Sequence, residues 1–594
     1  MQTSVSLKTA PAAAPGEGSS ARPTPSDSPG FPRRSADFDT ITDALDYAAK
    51  GVTGFNFYNA RGALERPMPF RDLRDEALAI AGRLAAAGNK PGDRVALLAA
   101  TGPDFLAMFF GSLYAGIIPV PLPLPTAFGR REGYIDQIRG QLTSSGARMA
   151  FGPVDFLPIV TEAAAGLGLV KIGTRADLDA LPEQAAKLHR PDPHELCYIQ
   201  YSSGSTRFPT GVAVTQANLM ANARAMCRDG VPLHPGDRAM SWLPFFHDMG
   251  LVGFMLAPLS SQSSIDYIAT EDFARRPLTW LKLMSENSAT ISYAPSFGYE
   301  LCARRVTTMP EGSLDLDLSR WRVAGIGGEM IKPKVMQQFA EAFRPYGFSD
   351  KAFNASYGLA ECVLAVSFTK PGSGMLIDHV AKDKLATAHR AEPVSVLDDT
   401  ARTFVACGKV VPGHKLEIRD EDGNVLGERA VGRAFFKGPS VMQGYFNNPD
   451  ATAEALVDGW LDTGDLAYWI KDELVIVGRA KDMLIVNGRN IWPQDIEWTV
   501  EHIDGLRSGD AAAIVLTGPD GSDRPTILVQ CRPADPAERE QLVDLVRSRV
   551  HEVVGIKCDV IAVPPRSLPK TSSGKLARTR AKLLFERGEL IAVF

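Results

Sequence analysis

Cysteine is scarce in this chain and is not paired. Seven cysteines in 594 residues are an odd number, widely spaced, with no CxxC anywhere. This argues against a disulfide-stapled framework and predicts reduced thiols in a cytoplasmic protein. No G-x-x-x-x-G-K-[ST] segment occurs, which excludes a Walker nucleotide site. Long blocks of one charge sign are missing too: the net charge is −5, with both signs interspersed. A nucleic-acid or membrane-surface scaffold is disfavoured, and small-molecule or protein partners are expected. Nor is there an uninterrupted apolar run of membrane-spanning quality. The nearest, "FLAMFFGSLYAGIIPVPLPLP" from Phe105 to Pro125, is broken by Pro119, Pro121, Pro123 and Pro125, and predicts a buried helix followed by a strand.

What is present is ample apolar material, 45% of a chain too long for one core, so two or three domains are expected. Residues 1–37 are rich in Ala, Pro, Ser and Gly without an apolar signal region, and read as a disordered tail. From Phe38, helical patterns such as "DEALAIAGRLAAAG" alternate with short apolar runs such as "RVALLAA", "AMSWLPF" and "ATISYAP". That alternation predicts an α/β domain with substantial parallel sheet over 38–478. Near Gly478 the texture changes. "ELVIVGRAKDMLIVNGRNI" reads as two short strands around a charged turn, "PQDIEWTVEHI" opens a helix, and further strands and a helix follow. A small α+β domain is expected over 479–594.

Four segments carry candidate chemistry. "YSSGSTRFPTG" (Tyr201 to Gly211) has the small hydroxylated residues of a loop whose backbone N–H groups can cradle phosphate, through Ser202, Ser203, Gly204, Ser205 and Thr206. Thr210 stands where such loops commonly carry a lysine, so a cation for the phosphate charge must come from elsewhere, or the loop is only a turn. "NASYGLAE" sets Ser356, Tyr357 and Gly358 beside Glu361, suited to stacking a base and holding Mg²⁺ through oxygen. Read alone, it is equally a core tyrosine with a surface glutamate. "LDTGDLA" places Asp465 in a turn where its carboxylate can accept two ribose hydroxyls, or simply face solvent. "LPKTSSGKLART" offers Lys575 after a flexible turn, where a solubilising charge is the plain alternative.

Together and in this order, with "FFHDMGL" at Phe245, "GIGGEM" at Gly325 and "GRAKDMLI" at Gly478, these segments closely resemble the adenylate-forming superfamily of acyl-CoA synthetases, peptide-synthetase adenylation domains and luciferases. The resemblance implies a large N-terminal adenylation domain with mixed sheets and helices and a small mobile α+β C-terminal domain. It also implies a two-step reaction: a carboxylate attacks the α-phosphate of ATP, pyrophosphate leaves, and a thiol then attacks the acyl-AMP. Carried over by motif, Glu361 with Thr206 would hold Mg²⁺, Tyr357 and Gly328 would contact adenine, and Asp465 with Arg479 would hold ribose. Lys575 would supply the missing cation, and Lys481 would be the hinge between domains. His247 matches the position near the substrate carboxylate, a buried structural histidine being the alternative. Amino-acid-activating relatives carry an F-D-x-S setting here. This chain reads Phe246, His247, Asp248, Met249, which implies a substrate without an α-amino group.

The stretch between Glu361 and "CGKVVPG" at Cys407 is longer than many acyl-CoA synthetases need, with extra material from about 368 to 399. In this respect the chain looks like a fatty acyl-AMP ligase. The resemblance implies an insertion that restrains the small domain, with the acyl group passing to the phosphopantetheine thiol of an acyl carrier protein, here a separate chain. A fatty acyl-CoA synthetase and a non-catalytic acyl- or nucleotide-binding regulator are the rival readings.

Overall fold

The structure is a computed structural model that describes residues 31–125, 131–184, 188–201, 210–310, 312–398, 401–486, 489–517, 523–533, 535–571 and 575–593. Its centre is a nine-stranded sheet. Six neighbouring strands run parallel, in the order Gly54–Tyr58, Ser264–Ile268, Arg238–Ser241, Ile291–Ala294, Val323–Ile326 and Phe353–Gly358. The middle strands are apolar and buried throughout, as expected where helices cover both faces of a parallel sheet. On one side Trp242, Trp280, Tyr299, Trp321 and Phe339 interlock, largely edge to face. A second, four-stranded parallel sheet contains Arg94–Leu98 and Ile118–Leu122. The proline-broken run therefore is a buried helix, Pro103–Tyr114, followed by a buried strand, as its sequence predicts.

Residues 31–37, grouped by composition with the tail, lie against the large domain. Ala36 is buried and its N–H donates to the carbonyl of Ser260. The region 473–491 contains three strands where two were expected: Glu473–Arg479 ends an antiparallel sheet with Trp460–Ile470, and Leu484–Val486 pairs with Arg489–Ile491. The turn Ala480–Asp482 lies between them. Beyond it, Ala511–Thr517, Asp523–Gln530 and Asp559–Val563 form a sheet with helices Pro493–Glu501, Pro536–Val554 and Arg578–Glu586 packed against it. Ile496, Val500, Val546 and Val550 centre a core separate from that of the large domain.

The segment from Ile377 to Val405 is built as strand, helix and strand: Ile377–Ala381 and Ala401–Val405 pair antiparallel, with helix Lys382–Ala388 between. Val380 and Leu385 are buried with Phe404, Tyr468 and Trp492, the last of which belongs to the small domain. Arg402 ion-pairs with Asp495 of the small domain at 2.9 Å and lies over the rings of Phe404 and Trp492. Lys382 Nζ donates to the carbonyl of Val553 at 3.2 Å. All seven cysteines are buried and free. Among the described residues, no helix is long and apolar enough to cross a membrane.

Candidate active site

The parallel strands end at their carboxyl side in loops that converge on one cavity of about 510 Å³, the usual place for a ligand in an open α/β sheet. One part of the cavity is polar. His247, Asp248, Gly328, Ser356, Tyr357, Glu361, Arg479, Lys481 and Lys575 all line it. The structure therefore brings together, from points spread over the chain, the described residues that the sequence motifs single out, Asp465 standing behind the lining against Tyr357 and Arg479. Ser202, Ser203, Gly204, Ser205 and Thr206 lie outside the described residues; Tyr201 and Thr210, which flank them, line the cavity.

Asp465 and Arg479 are opposite each other on paired strands, so the sheet register itself aligns them. Arg479 Nε is 3.6 Å from Asp465 Oδ1, and the Tyr357 hydroxyl donates to Asp465 Oδ2 at 2.5 Å. Gly464, at φ +72° within the strand, lines the cavity next to the buried Asp465. Burial pushes the Asp465 carboxyl up, and Arg479 and the tyrosine hydroxyl oppose that shift. Tyr357 is thus fixed at its hydroxyl end and free to offer a ring face.

Glu361 sits in the one-turn helix Ala360–Cys362, followed by Val363 at φ +71°, a strained conformation for a β-branched residue. Its side chain accepts from the Tyr445 hydroxyl at 2.9 Å. Burial raises its pKa, and nearby Asp248 adds to the rise. A half-buried carboxylate that accepts from Tyr445 and from its own backbone N–H keeps lone pairs for a cation. One carboxylate fits Mg²⁺, which is commonly held by few protein ligands and several phosphate or water oxygens. Gly358 is required by space: a Cβ there would lie 1.8 Å from the Leu364 carbonyl.

His247 Nδ1 is 2.7 Å from Asp248 Oδ1, and the Met249 N–H donates to the same Asp248 oxygen at 2.7 Å. Burial works against charge on Asp248, but His247 and Lys575 hold its pKa below the ordinary value. The Lys575 backbone N–H donates to Thr571 Oγ1 at 3.2 Å. Burial lowers the pKa of its amine and Arg479 repels it further, while Asp248, Glu329 and Asp465 favour its charged form. A small-domain cation is therefore enclosed among large-domain carboxylates.

Asp248, Glu329 and Tyr445 complete the site, and the motifs assigned them no role. Glu329 lies within "GIGGEM" and faces the backbone N–H groups of Ser296 and Phe297 as well as Lys332 and Lys575. Its position in a Gly-rich turn beside Gly328 was the available signal. Tyr445 had none, since only the fold brings it to Glu361.

The other part of the cavity is an apolar arm. Its walls include Met226 and Cys227 from the π-helix Ala225–Gly230 and Met249, Gly253 and Phe254 from the π-helix Met249–Leu256. Such wide turns gather at functional sites. Phe368 closes a side so tightly that a Cβ on Gly230 would meet its ring at 2.3 Å. The carboxylate at its inner end, Asp237, is already paired with Arg322, so the arm suits an aliphatic chain.

Comparison with known proteins agrees with this geometry. The family model described as AMP-binding enzyme matches residues 59–446, and that of the AMP-binding enzyme C-terminal domain matches 488–581. A Caulobacter vibrioides protein, provisionally named an acyl-CoA synthetase, is 49% identical over 93% of this chain and 96% of its own length. The long-chain-fatty-acid–AMP ligase FadD32 of Mycolicibacterium smegmatis is 31% identical over 90% of this chain and 92% of its own. A solved chain from a structural study of fatty acyl-adenylate ligases of E. coli and L. pneumophila superposes with TM-score 0.89 at 45% identity. It covers 94% of this chain and 100% of that one.

Proposed function

Since the chain belongs to the AMP-binding, adenylate-forming enzymes and, within them, to the fatty acyl-AMP ligases, we propose that it activates a fatty acid as acyl-AMP and passes the acyl group to the phosphopantetheine thiol of a separate acyl carrier protein. The observation that carries this reading is the junction in one cavity of an apolar arm with a polar chamber enclosing Lys575, Glu361, Tyr357 and Arg479. In the first step a carboxylate oxygen bonds to the α-phosphorus of ATP as the bond to the bridging oxygen breaks, and pyrophosphate leaves with its electron pair. In the second, a thiol sulfur bonds to the acyl carbon, its proton is lost, and AMP departs.

The residues contribute mainly by position and charge. The Tyr357 ring and the Gly328 backbone take adenine, with Ser356 and Gly358 shaping that edge. Asp465, aligned by Arg479, accepts the ribose hydroxyls. His247, oriented by Asp248, holds the substrate carboxylate at the mouth of the apolar arm. Lys575 offsets negative charge gathering on the α-phosphate, and backbone N–H groups of Ser202 to Thr206 cradle the other phosphates. Glu361 with Thr206 would hold Mg²⁺, which when bound neutralises phosphate charge.

The name of the Caulobacter relative favours a second reading, in which free CoA is the acceptor. Mass spectrometry of products from mixed fatty acids, ATP, CoA and a phosphopantetheinylated carrier separates the two. Acyl-carrier with little acyl-CoA is expected, and abundant acyl-CoA overturns the carrier assignment. ATP/pyrophosphate exchange dependent on fatty acid tests adenylation itself, and its absence would favour a non-catalytic binder.

Lys481 lies in the turn Ala480–Asp482 that joins the two domains, and we place the domain boundary and hinge there. Rotation at this point would exchange the small-domain face presented to the cavity between half-reactions. Lys481→Pro, by fixing φ, is expected to spare one half-reaction and impair the other. Equal loss of both, measured by exchange and by thioester formation from supplied acyl-AMP, would indicate misfolding instead.

A further inference from the structure

The apolar arm runs the height of the central sheet. Its inner residues Asp237, Arg238, Ser263 and Ile291 lie at the amino ends of the parallel strands, whereas His247 follows their carboxyl ends. Four residues of strand separate the two levels, a rise of about 13 Å. The charges at the inner level are already satisfied: Arg238 pairs with Asp266 at 2.5 Å, and Asp237 pairs with Arg322. Nothing there calls for a charged group at the end of the substrate, so the end presents itself as a stop for an aliphatic tail.

Behind Ser263 stands Arg33, from the segment preceding the first helix. Its guanidinium donates to Ser263 Oγ at 2.5 Å, to the Ser261 carbonyl at 3.0 Å and to the His234 carbonyl at 2.8 Å. Arg34 N–H adds a bond to Gln262 Oε1 at 2.8 Å. One half-buried side chain thus ties the loop that carries Leu233 to the turn that carries Ser263, and both residues line the arm. The planar fork of arginine spans three acceptors in fixed geometry, which few other side chains do.

We propose that Arg33 closes the far end of the acyl channel and thereby sets the longest fatty acid the enzyme activates. This rests on the fatty acyl reading above. Removing the guanidinium unties the two loops at a place already near the surface, so a longer tail gains room. Filling the end from inside does the reverse.

The test is fatty-acid-dependent ATP/pyrophosphate exchange over a series of saturated acids of increasing length, with wild type, Arg33→Ala and Ser263→Phe. For Arg33→Ala, acids longer than the wild-type optimum are expected to gain about tenfold or more relative to shorter ones, the scale on which apolar pockets discriminate methylenes. For Ser263→Phe the profile moves toward shorter acids by a similar factor. A purely structural Arg33 would lower exchange for every length alike, and this outcome, or unchanged profiles in both variants, overturns the proposal. Should Arg33→Ala fail to fold, the Ser263→Phe profile decides alone. A wild type that exchanges with no fatty acid overturns the fatty acyl reading and the stop together, whereas an active wild type with unmoved profiles overturns the stop only.

Discussion

Lys575→Ala lowers acyl-AMP formation by about 10²-fold or more, the scale of losing one preorganised charge-stabilising group at a reacting centre, while thioester formation from supplied acyl-AMP falls far less. The expectation follows from where the amine is placed. It reaches the cavity from the small domain and is surrounded by Asp248, Glu329 and Asp465, which keep it charged against burial and against Arg479. Thr210 stands where related loops commonly carry lysine. The depressed pKa adds a pH signature: adenylation by wild type falls as pH rises through a value below the ordinary lysine range, because the neutral amine no longer offsets phosphate charge. That limb is absent from the residual activity of the alanine variant. Initial rates of ATP/pyrophosphate exchange across pH measure both effects. Near wild-type adenylation by Lys575→Ala would discard the assignment and turn attention to Arg207, which lies in the phosphate loop.

The second large effect concerns the acceptor. Arg402, on the strand that follows the inserted stretch, and Asp495 of the small domain form a buried pair, in which burial pulls the Arg402 pKa down and Asp495 opposes it. With Trp492 against Arg402 and Lys382 on Val553, this contact favours the arrangement that encloses Lys575. A bias of about 3 kcal/mol suppresses an alternative pose roughly a hundredfold. On the carrier reading proposed above, docking would supply compensating contacts that free CoA cannot. Removing only Asp495 would orphan a buried guanidinium at a cost of about 3–5 kcal/mol, so both partners should change, as Arg402→Met with Asp495→Leu. That variant is expected to raise acyl-CoA output by an order of magnitude or more, on the tenfold-per-1.4 kcal/mol scale, while acyl-AMP formation persists. Products from labelled fatty acid, ATP and CoA are the readout. Deleting Pro371 to Arg390 is the blunter version, and the structure warns that it also removes Val380 and Leu385 from a shared core. A folded double variant that still makes no acyl-CoA would place CoA rejection elsewhere, such as in a missing CoA pocket.

The parallel architecture was legible because its strands are short, apolar and separated by amphipathic helices. "ATISYAP" and "AMSWLPF" allow few other readings. Motif residues such as Tyr357, Asp465 and Lys575 were legible only jointly, since each alone is an ordinary surface or core residue. Tyr445 was not legible, because a tyrosine 84 positions from its glutamate partner declares itself only when the chain is folded, and Glu329 left only its place in the Gly-rich turn beside Gly328 as a signal. The same holds for Arg33: an arginine in a Pro/Ser-rich leader carries no sign that it reaches the turn at Ser263. The Arg402–Asp495 pair was also hidden, although the inserted stretch that precedes Arg402 was visible as extra length.

An enzyme that builds an activated acyl phosphate and hands it to a thiol must keep its own sulfur from answering first. The reactive species is the thiolate, not the thiol. Here burial raises the pKa of every one of the seven cysteines. Even Cys227, which borders the acyl arm, is pushed up to about 11, and Cys362, next to Glu361, rises through burial and the neighbouring carboxylate. At neutral pH these groups stay protonated and behave as small apolar fillers. Self-acylation by the mixed anhydride is thereby suppressed by protonation state, and on the carrier reading proposed above an incoming pantetheine sulfur would meet no ionised competitor among the seven cysteines.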